Sequence, residues 1–318
     1  MVRDIRTGLT SLYQLPDSYE VLLGVGGATA FWDAAAFGLI EQHSQHAVFG
    51  EFSGKFAAVT AGAPWLNEPE IVESAAGTHP LLMADPDVDT YCLTHNETST
   101  GVMMPVTRPR GGPAVVLVDA TSAAGAIPVD PLQFDAYYFS PQKALGSEGG
   151  LWLALCSPQA QTRITALAKE RWIPPFLSLG NSLENSTKDQ TYNTPALATL
   201  FLLRDQIEWI LRNGGLGWSA GRSSHSSQLV YDWADRSEYA SPFVEIPAQR
   251  SPTTVTIDFE PSIRLDSLID VLARHGIFDV GGYRKLGRNQ LRVATYPNIE
   301  PNDIEMLLGA IDFVIERL

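Results

Sequence analysis

Cysteine is almost missing: two residues, Cys92 and Cys156, in a chain of 318. Both lie in apolar surroundings, TYCLTH and LALCSP. Buried free thiols are therefore expected, not a disulfide framework, and the cytoplasm is the natural compartment. Positive charge is also scarce. Lys and Arg number 22 against 36 Asp and Glu, a net charge of −14. Such a chain repels nucleic acid and anionic lipid, so neither is expected as a partner. No apolar run reaches spanning length, and the opening residues read as an amphipathic helix that stops at Pro16, not as a secretory leader. Histidine numbers 6, and the one close pair, His43 and His46, has no Cys or carboxylate at ligand spacing. No metal site is expected. What is left, 45% hydrophobic and 18% charged, is ordinary globular composition with enough chain for two domains.

The informative stretch runs from Val115 to Ser157. An apolar run, Ala114 to Val118, ends in Asp119. A second, Ala136 to Phe139, ends in Ser140-Pro141-Gln142-Lys143. A third, Leu151 to Leu155, follows a Gly-rich turn. Short apolar runs closed by turn residues have the pattern of buried strands. An acid and a lysine thus stand at the ends of two strands, where open α/β sheets place their ligands. Each alone has a bland reading as a cap or a solvated charge. Together they fit an aldehyde cofactor: the lysine holds it as a Schiff base and the acid pairs with a protonated pyridine nitrogen. That cofactor is pyridoxal phosphate.

The rest of the chain alternates strand and helix signals. Tyr19 to Leu23 reads as a strand, and GVGGATAFWDAAAFGLI as a Gly-rich turn feeding a helix. The turn is open to two readings, a simple tight turn or a cradle for a monophosphate on free N–H groups. A dinucleotide fingerprint is disfavoured, because Thr29 replaces its third glycine and no acid follows a second strand. Arg171 to Tyr192 reads as a long irregular loop, and Asn193-Thr194-Pro195 as the start of the helix that ends at Gly214-Gly215. Composition shifts there, dividing the chain into 1–215 and 216–318. The second part carries Arg284, Lys285, Arg288 and Arg292 within nine positions. A solvated turn accounts for Lys285 and Arg288. Arg292 lies inside an apolar strand and needs an anionic partner, for which a planar guanidinium is suited.

The strings GVGGATAFWDAAAFG, HNETSTG, VDATSAAG, FSPQK, TYNTP and YRKLGRNQLRVA resemble the phosphoserine aminotransferases, fold-type-I pyridoxal-phosphate enzymes among the class V aminotransferases. The resemblance implies an α/β fold with a large, mostly parallel sheet domain and a smaller C-terminal α/β domain. It implies that Lys143 forms the internal aldimine and carries the proton, and that Asp119 pairs with the ring nitrogen. Phe52 would stack on the ring. Ala28 and Thr29 would hold the phosphate through backbone amides, with Gln142 a further contact and Thr98 and Thr121 donors around the ring. Asn193 and Thr194 would reach the neighbouring subunit's cofactor, making the working unit a homodimer with shared sites. Arg284 and Arg292 would take the anionic groups of glutamate, phosphoserine and phosphohydroxypyruvate. The family also carries an N-terminal segment with a Ser-His-Arg motif ahead of where this sequence begins. The expected reaction is phosphoserine transamination in serine biosynthesis. Alanine–glyoxylate-type transamination stays open, as does a shortened cofactor-binding chain with poor turnover.

Overall fold

The computed structural model describes residues 1–110 and 112–317. The chain runs α1 (Val2–Tyr13), β1 (Glu20–Val25), α2 (Gly27–Gly38), β2 (Ser44–Val48), α3 (Glu51–Ala61), β3 (Glu70–Glu73) and β4 (Thr90–Thr94). A small hairpin, β5 (Asn96–Glu97) and β6 (Val102–Met103), precedes β7 (Val115–Asp119), β8 (Ala136–Phe139) and β9 (Leu151–Cys156). Four helices follow: α4 (Pro158–Glu170), α5 (Leu179–Ser186), α6 (Leu197–Arg212) and α7 (Gly215–Arg236). The chain closes with β10 (Ala240–Pro242), β11 (Thr254–Phe259), α8 (Leu265–Arg274), β12 (Gln290–Ala294) and α9 (Pro301–Ile315).

Seven strands form one sheet in the order β1-β9-β8-β7-β4-β2-β3, in which β9 pairs antiparallel with both neighbours and the other pairings are parallel. Mostly parallel sheets need helices on both faces, and their strands read as continuous apolar runs. In β7, Val116 and Val118 enter the core beneath α1 and α6, while Val115 and Leu117 enter the opposite core beneath α2 to α5. The two-residue period of a strand makes that division. It also sends Asp119 to the same face as Leu117, toward α2.

The smaller unit is a three-stranded antiparallel sheet, β10-β11-β12, packed against α7, α8 and α9. Leu291 and Val293 face its core, so Arg292 between them faces the large sheet. Hydrogen bonds join the units there, among them Thr256 Oγ1 donating to the Thr100 carbonyl (3.0 Å) and Thr253 Oγ1 to the Ser122 carbonyl (2.8 Å). Helix α7 belongs to both units. Leu216 and Trp218 near its start pack on the large core, and Val230, Tyr231 and Ala234 near its end enter the small one.

Two expectations are corrected. Residues 171–192 are not one irregular loop: α5 lies within them, capped by Ser178, whose hydroxyl accepts from Asn181 N at 3.2 Å. Its inner face carries buried Ser182 and Ser186 beside Leu179, so no apolar period marks it. Ser186 Oγ accepts from Leu23 N at 3.1 Å. Helix α6 starts at Leu197, not at Asn193-Thr194-Pro195; Ala196 is its N-cap, with no side-chain capping bond.

Candidate active site

Asp119 is the last residue of β7, and Lys143 stands in the turn after β8, the next strand of the sheet. Both line a cavity of about 260 Å³ at the carboxyl ends of these strands. The first turn of α2 closes one side through Gly27, Ala28 and Thr29. Gly26 and Gly27 have φ of 107° and 72°, a left-handed pair that only glycine adopts without strain and that turns β1 sharply into α2. The N–H groups of that first helical turn have no intrahelical partners, and they and the helix dipole suit a phosphate. Between the two readings of this turn, the geometry favours the cradle.

Asp119 is 6% exposed. Its carboxylate accepts from Trp32 Nε1 (3.1 Å) and from Thr121 N (2.9 Å). Burial raises its pKa, and Thr121, the Lys143 charge and Trp32 pull it back. A cation held against it would complete the charge balance.

Lys143 Nζ donates to Thr98 Oγ1 at 2.7 Å and lies 5.4 Å from the centre of the Phe52 ring. Burial lowers its pKa to about 8; Asp119 and Glu97 raise it, and Arg292 lowers it further. Phe52 forms a wall of the cavity, and the Tyr283 ring lies 6.0 Å from its own. Thr121 and Gln142 also line the cavity.

Arg292 stands at the edge of this arrangement. Its guanidinium donates to the Thr98 carbonyl (3.3 Å) and sits 5.6 Å from the Tyr283 ring. Within the basic cluster, Lys285 is paired with Glu51 and Arg288 with Asp258. Arg284 and Arg292 have no carboxylate partner among the described residues. Arg284 is nevertheless exposed and lines a separate crevice with Asp266 and Gly287, so this structure does not bring it to the cavity. Asn193 and Thr194 are exposed and also outside it.

Reading the sequence missed several residues here. Trp32, Thr94, Asn96 and Ser140 line the cavity, and nothing in their local pattern marks them. His95, just past the end of β4, is buried, with Nδ1 3.0 Å from the Tyr137 hydroxyl and a pKa lowered to about 4 by burial. Asn96 Oδ1 is buried without a partner among the described residues, although its Nδ2 donates to Ser122 Oγ at 2.8 Å. A lone acceptor on the wall, a helix N-terminus, a low-pKa lysine and a buried carboxylate are the donor and acceptor set of a phosphorylated pyridine aldehyde. The residues fit the group.

Fold and site together define a pyridoxal-phosphate-dependent transferase of fold type I. The family model described as aminotransferase class-V matches residues 81–284. A putative phosphoserine aminotransferase of Mycolicibacterium vanbaalenii is 52% identical over 320 positions, covering 100% of this chain and 86% of that protein. The phosphoserine aminotransferase of Rhodococcus jostii is 50% identical with the same coverage. Among solved structures, a phosphoserine aminotransferase from Cytophaga hutchinsonii superposes with a TM-score of 0.92 at 27% identity, covering 99% of this chain and 88% of that one. The chain belongs to the phosphoserine aminotransferase family within the class-V aminotransferases.

Proposed function

We propose that the protein moves the amino group of glutamate to 3-phosphohydroxypyruvate, giving 2-oxoglutarate and O-phosphoserine, a step of serine biosynthesis. The observation that carries this is the shared cavity of Lys143 and Asp119 in a chain half identical throughout to proteins bearing that name.

Pyridoxal phosphate, when bound, supplies the electron sink that makes the substrate's Cα–H acidic. The chain's own residues do the rest. Lys143 must be neutral to attack an aldehyde, and burial with Arg292 nearby makes it so more readily than a surface lysine. In the same place its amine takes and returns the proton at Cα. Asp119 would keep a positive charge on the ring nitrogen, and Trp32 and Thr121 hold its carboxylate in place. The α2 amino end would hold the phosphate and Phe52 would pack on the ring. Arg292 takes the α-carboxylate common to both amino acids; Arg284, exposed and in a separate crevice, is given no part. Donor and acceptor use one cavity in turn, so the kinetics are ping-pong. Cysteine desulfuration is disfavoured, because Cys92 and Cys156 are 2% and 0% exposed and a nucleophilic thiolate must reach substrate.

The same proposal makes the protein a homodimer. Asn193 and Thr194 are exposed beside Tyr192, Leu197 and Phe201, apolar side chains that are 47%, 67% and 49% exposed. Such a patch supports burial against a second copy. Among the described residues no helix is long and apolar enough to cross a membrane. Two unpaired thiols support a cytoplasmic place. The test is direct: glutamate alone should convert the loaded enzyme's visible spectrum, and phosphohydroxypyruvate should restore it with O-phosphoserine released. Restoration by glyoxylate or pyruvate in preference would overturn the substrate assignment.

A further inference from the structure

Behind the cavity lies a carboxylate that the proposed chemistry does not use. Glu97, in β5, is 0% exposed. Its Oε2 accepts from Phe52 N (3.1 Å), Ser53 N (2.9 Å) and Ser53 Oγ (3.0 Å). Its Oε1 accepts from Ser99 N (3.2 Å) and Ser99 Oγ (2.7 Å). Ser99 Oγ in turn accepts from Glu51 N at 3.0 Å. The orphan donors at the start of α3 are thus satisfied by an acid from another strand, where a capping side chain would ordinarily do it. The N-cap position is Gly50, and the reason is steric: a Cβ there would fall 2.3 Å from Glu97 Cγ.

The bonds of this acid meet at the residues that form the cavity. Phe52, whose N–H it holds, is the wall facing Lys143. Thr98, the next residue in the chain, accepts from Lys143 through its hydroxyl and from Arg292 through its carbonyl. Glu97 is therefore tied to the aromatic wall and adjacent to the anchor of both cations. We propose that Glu97 is a positioning residue: its carboxylate clamps the start of α3 to the Thr98 turn and so sets where Phe52, Lys143 and Arg292 stand relative to one another. The inference rests on the cavity being the cofactor site. Borohydride labelling of Lys143 in the unaltered protein tests that separately and does not involve Glu97.

Glu97→Gln keeps the volume but turns one acceptor into a donor facing donors. The expected result is a folded protein that binds pyridoxal phosphate about tenfold more weakly or worse, by the strength of charge-assisted bonds. Its bound-cofactor spectrum should be altered and its KM for glutamate raised. Ser53→Ala and Ser99→Ala each remove one hydroxyl and leave the charge. They should weaken cofactor binding in the same direction by a smaller factor, and they decide the matter if Glu97→Gln does not fold. A lower melting temperature with cofactor affinity, spectrum and KM all unchanged would overturn the proposal, since a merely structural cap would behave that way.

Discussion

Lys143 Nζ donates a 2.7 Å hydrogen bond to Thr98 Oγ1, tying the turn after β8 to the turn after β5. The bond holds the amine in the cavity, against the Phe52 ring and within the field of Arg292. Thr98 accepts this hydrogen bond without adding charge, so it orients the lysine. The geometry expects Lys143 to be the residue that borohydride fixes to pyridoxal phosphate. Peptide mapping of the reduced holoenzyme checks this. Label on any other lysine, or none, removes the basis of the assignment.

The lowered pKa has its own consequence. A solvated lysine stays charged until about pH 10.5, whereas burial brings Lys143 to about 8. Its neutral, reactive fraction in the cofactor-free protein should rise through pH 8 and level off above it. Labelling by an amine reagent, followed by mass spectrometry across pH, gives the midpoint directly. Arg292 pushes this pKa down, so Arg292→Leu should move the midpoint upward. In stability terms, between about pH 8 and 10.5 the unfolded chain holds a proton that the folded chain has released. This lysine's cost to the cofactor-free fold is therefore full below pH 8 and fades as pH rises through that window.

Asp119 and Trp32 make a second test. Asp119→Asn removes the charge that keeps the ring nitrogen protonated. Cofactor should still bind through Lys143 and the α2 amino end, while kcat falls by orders of magnitude. Trp32→Phe deletes one bond to the same carboxylate, worth about 1.5–3 kcal/mol. It should lower kcat/KM by roughly ten- to a hundredfold, by the tenfold-per-1.36 kcal/mol relation. Equal losses for Asp119→Asn and Trp32→Phe would mean that the indole, not the charge, matters most.

Strand ends were legible in the sequence because β7, β8 and β9 are buried on both faces and read as uninterrupted apolar runs. Their closing residues, Asp119 and the turn bearing Lys143, therefore stood out. Trp32 did not, because a tryptophan in an apolar helix looks like core, and its one polar atom reveals itself only against Asp119. Glu97 was equally silent. Its partners Phe52 and Ser53 are 45 and 44 positions away, and nothing local distinguishes a buried acid from a solvated one. Arg284 shows the opposite failure. A shared basic loop put it beside Arg292, but the strand period sends only Arg292 toward the large sheet, while Arg284 lies in a turn ahead of β12.

The proposed shared-site dimer predicts complementation. Lys143→Ala chains lack the amine, and Asn193→Ala chains weaken the contact made to the partner's cofactor. In a mixed dimer one site loses both groups and the other keeps both. Random mixing of equal amounts should restore about a quarter of the original activity, following two-fold symmetry. No gain over the separate variants, with mixed dimers present by mass spectrometry, would mean that each site belongs to one chain.

Arg292 separates a substrate receptor from a structural charge. The strand period turns it away from the small core, its guanidinium lies against Tyr283, and its hydrogen-bond acceptor here is a carbonyl, Thr98 O. A neutral acceptor leaves the positive charge uncompensated among the described residues, in a protein of net charge −14. An incoming α-carboxylate supplies that compensation. Arg292→Lys keeps the charge and loses the planar two-point fit. With about 1.5–3 kcal/mol per charge-assisted bond lost, kcat/KM should fall by about one to two orders of magnitude. The loss should be similar for glutamate and O-phosphoserine, because both present the same carboxylate. Arg284→Ala, a change outside the cavity, should leave kcat/KM for both substrates nearly unchanged. Half-reactions followed separately by absorbance give all four numbers, and the resting cofactor spectrum of Arg292→Lys should stay unchanged. If Arg292→Lys lowers the melting temperature and leaves both half-reactions intact, the Thr98 carbonyl is its working partner and the carboxylate assignment fails.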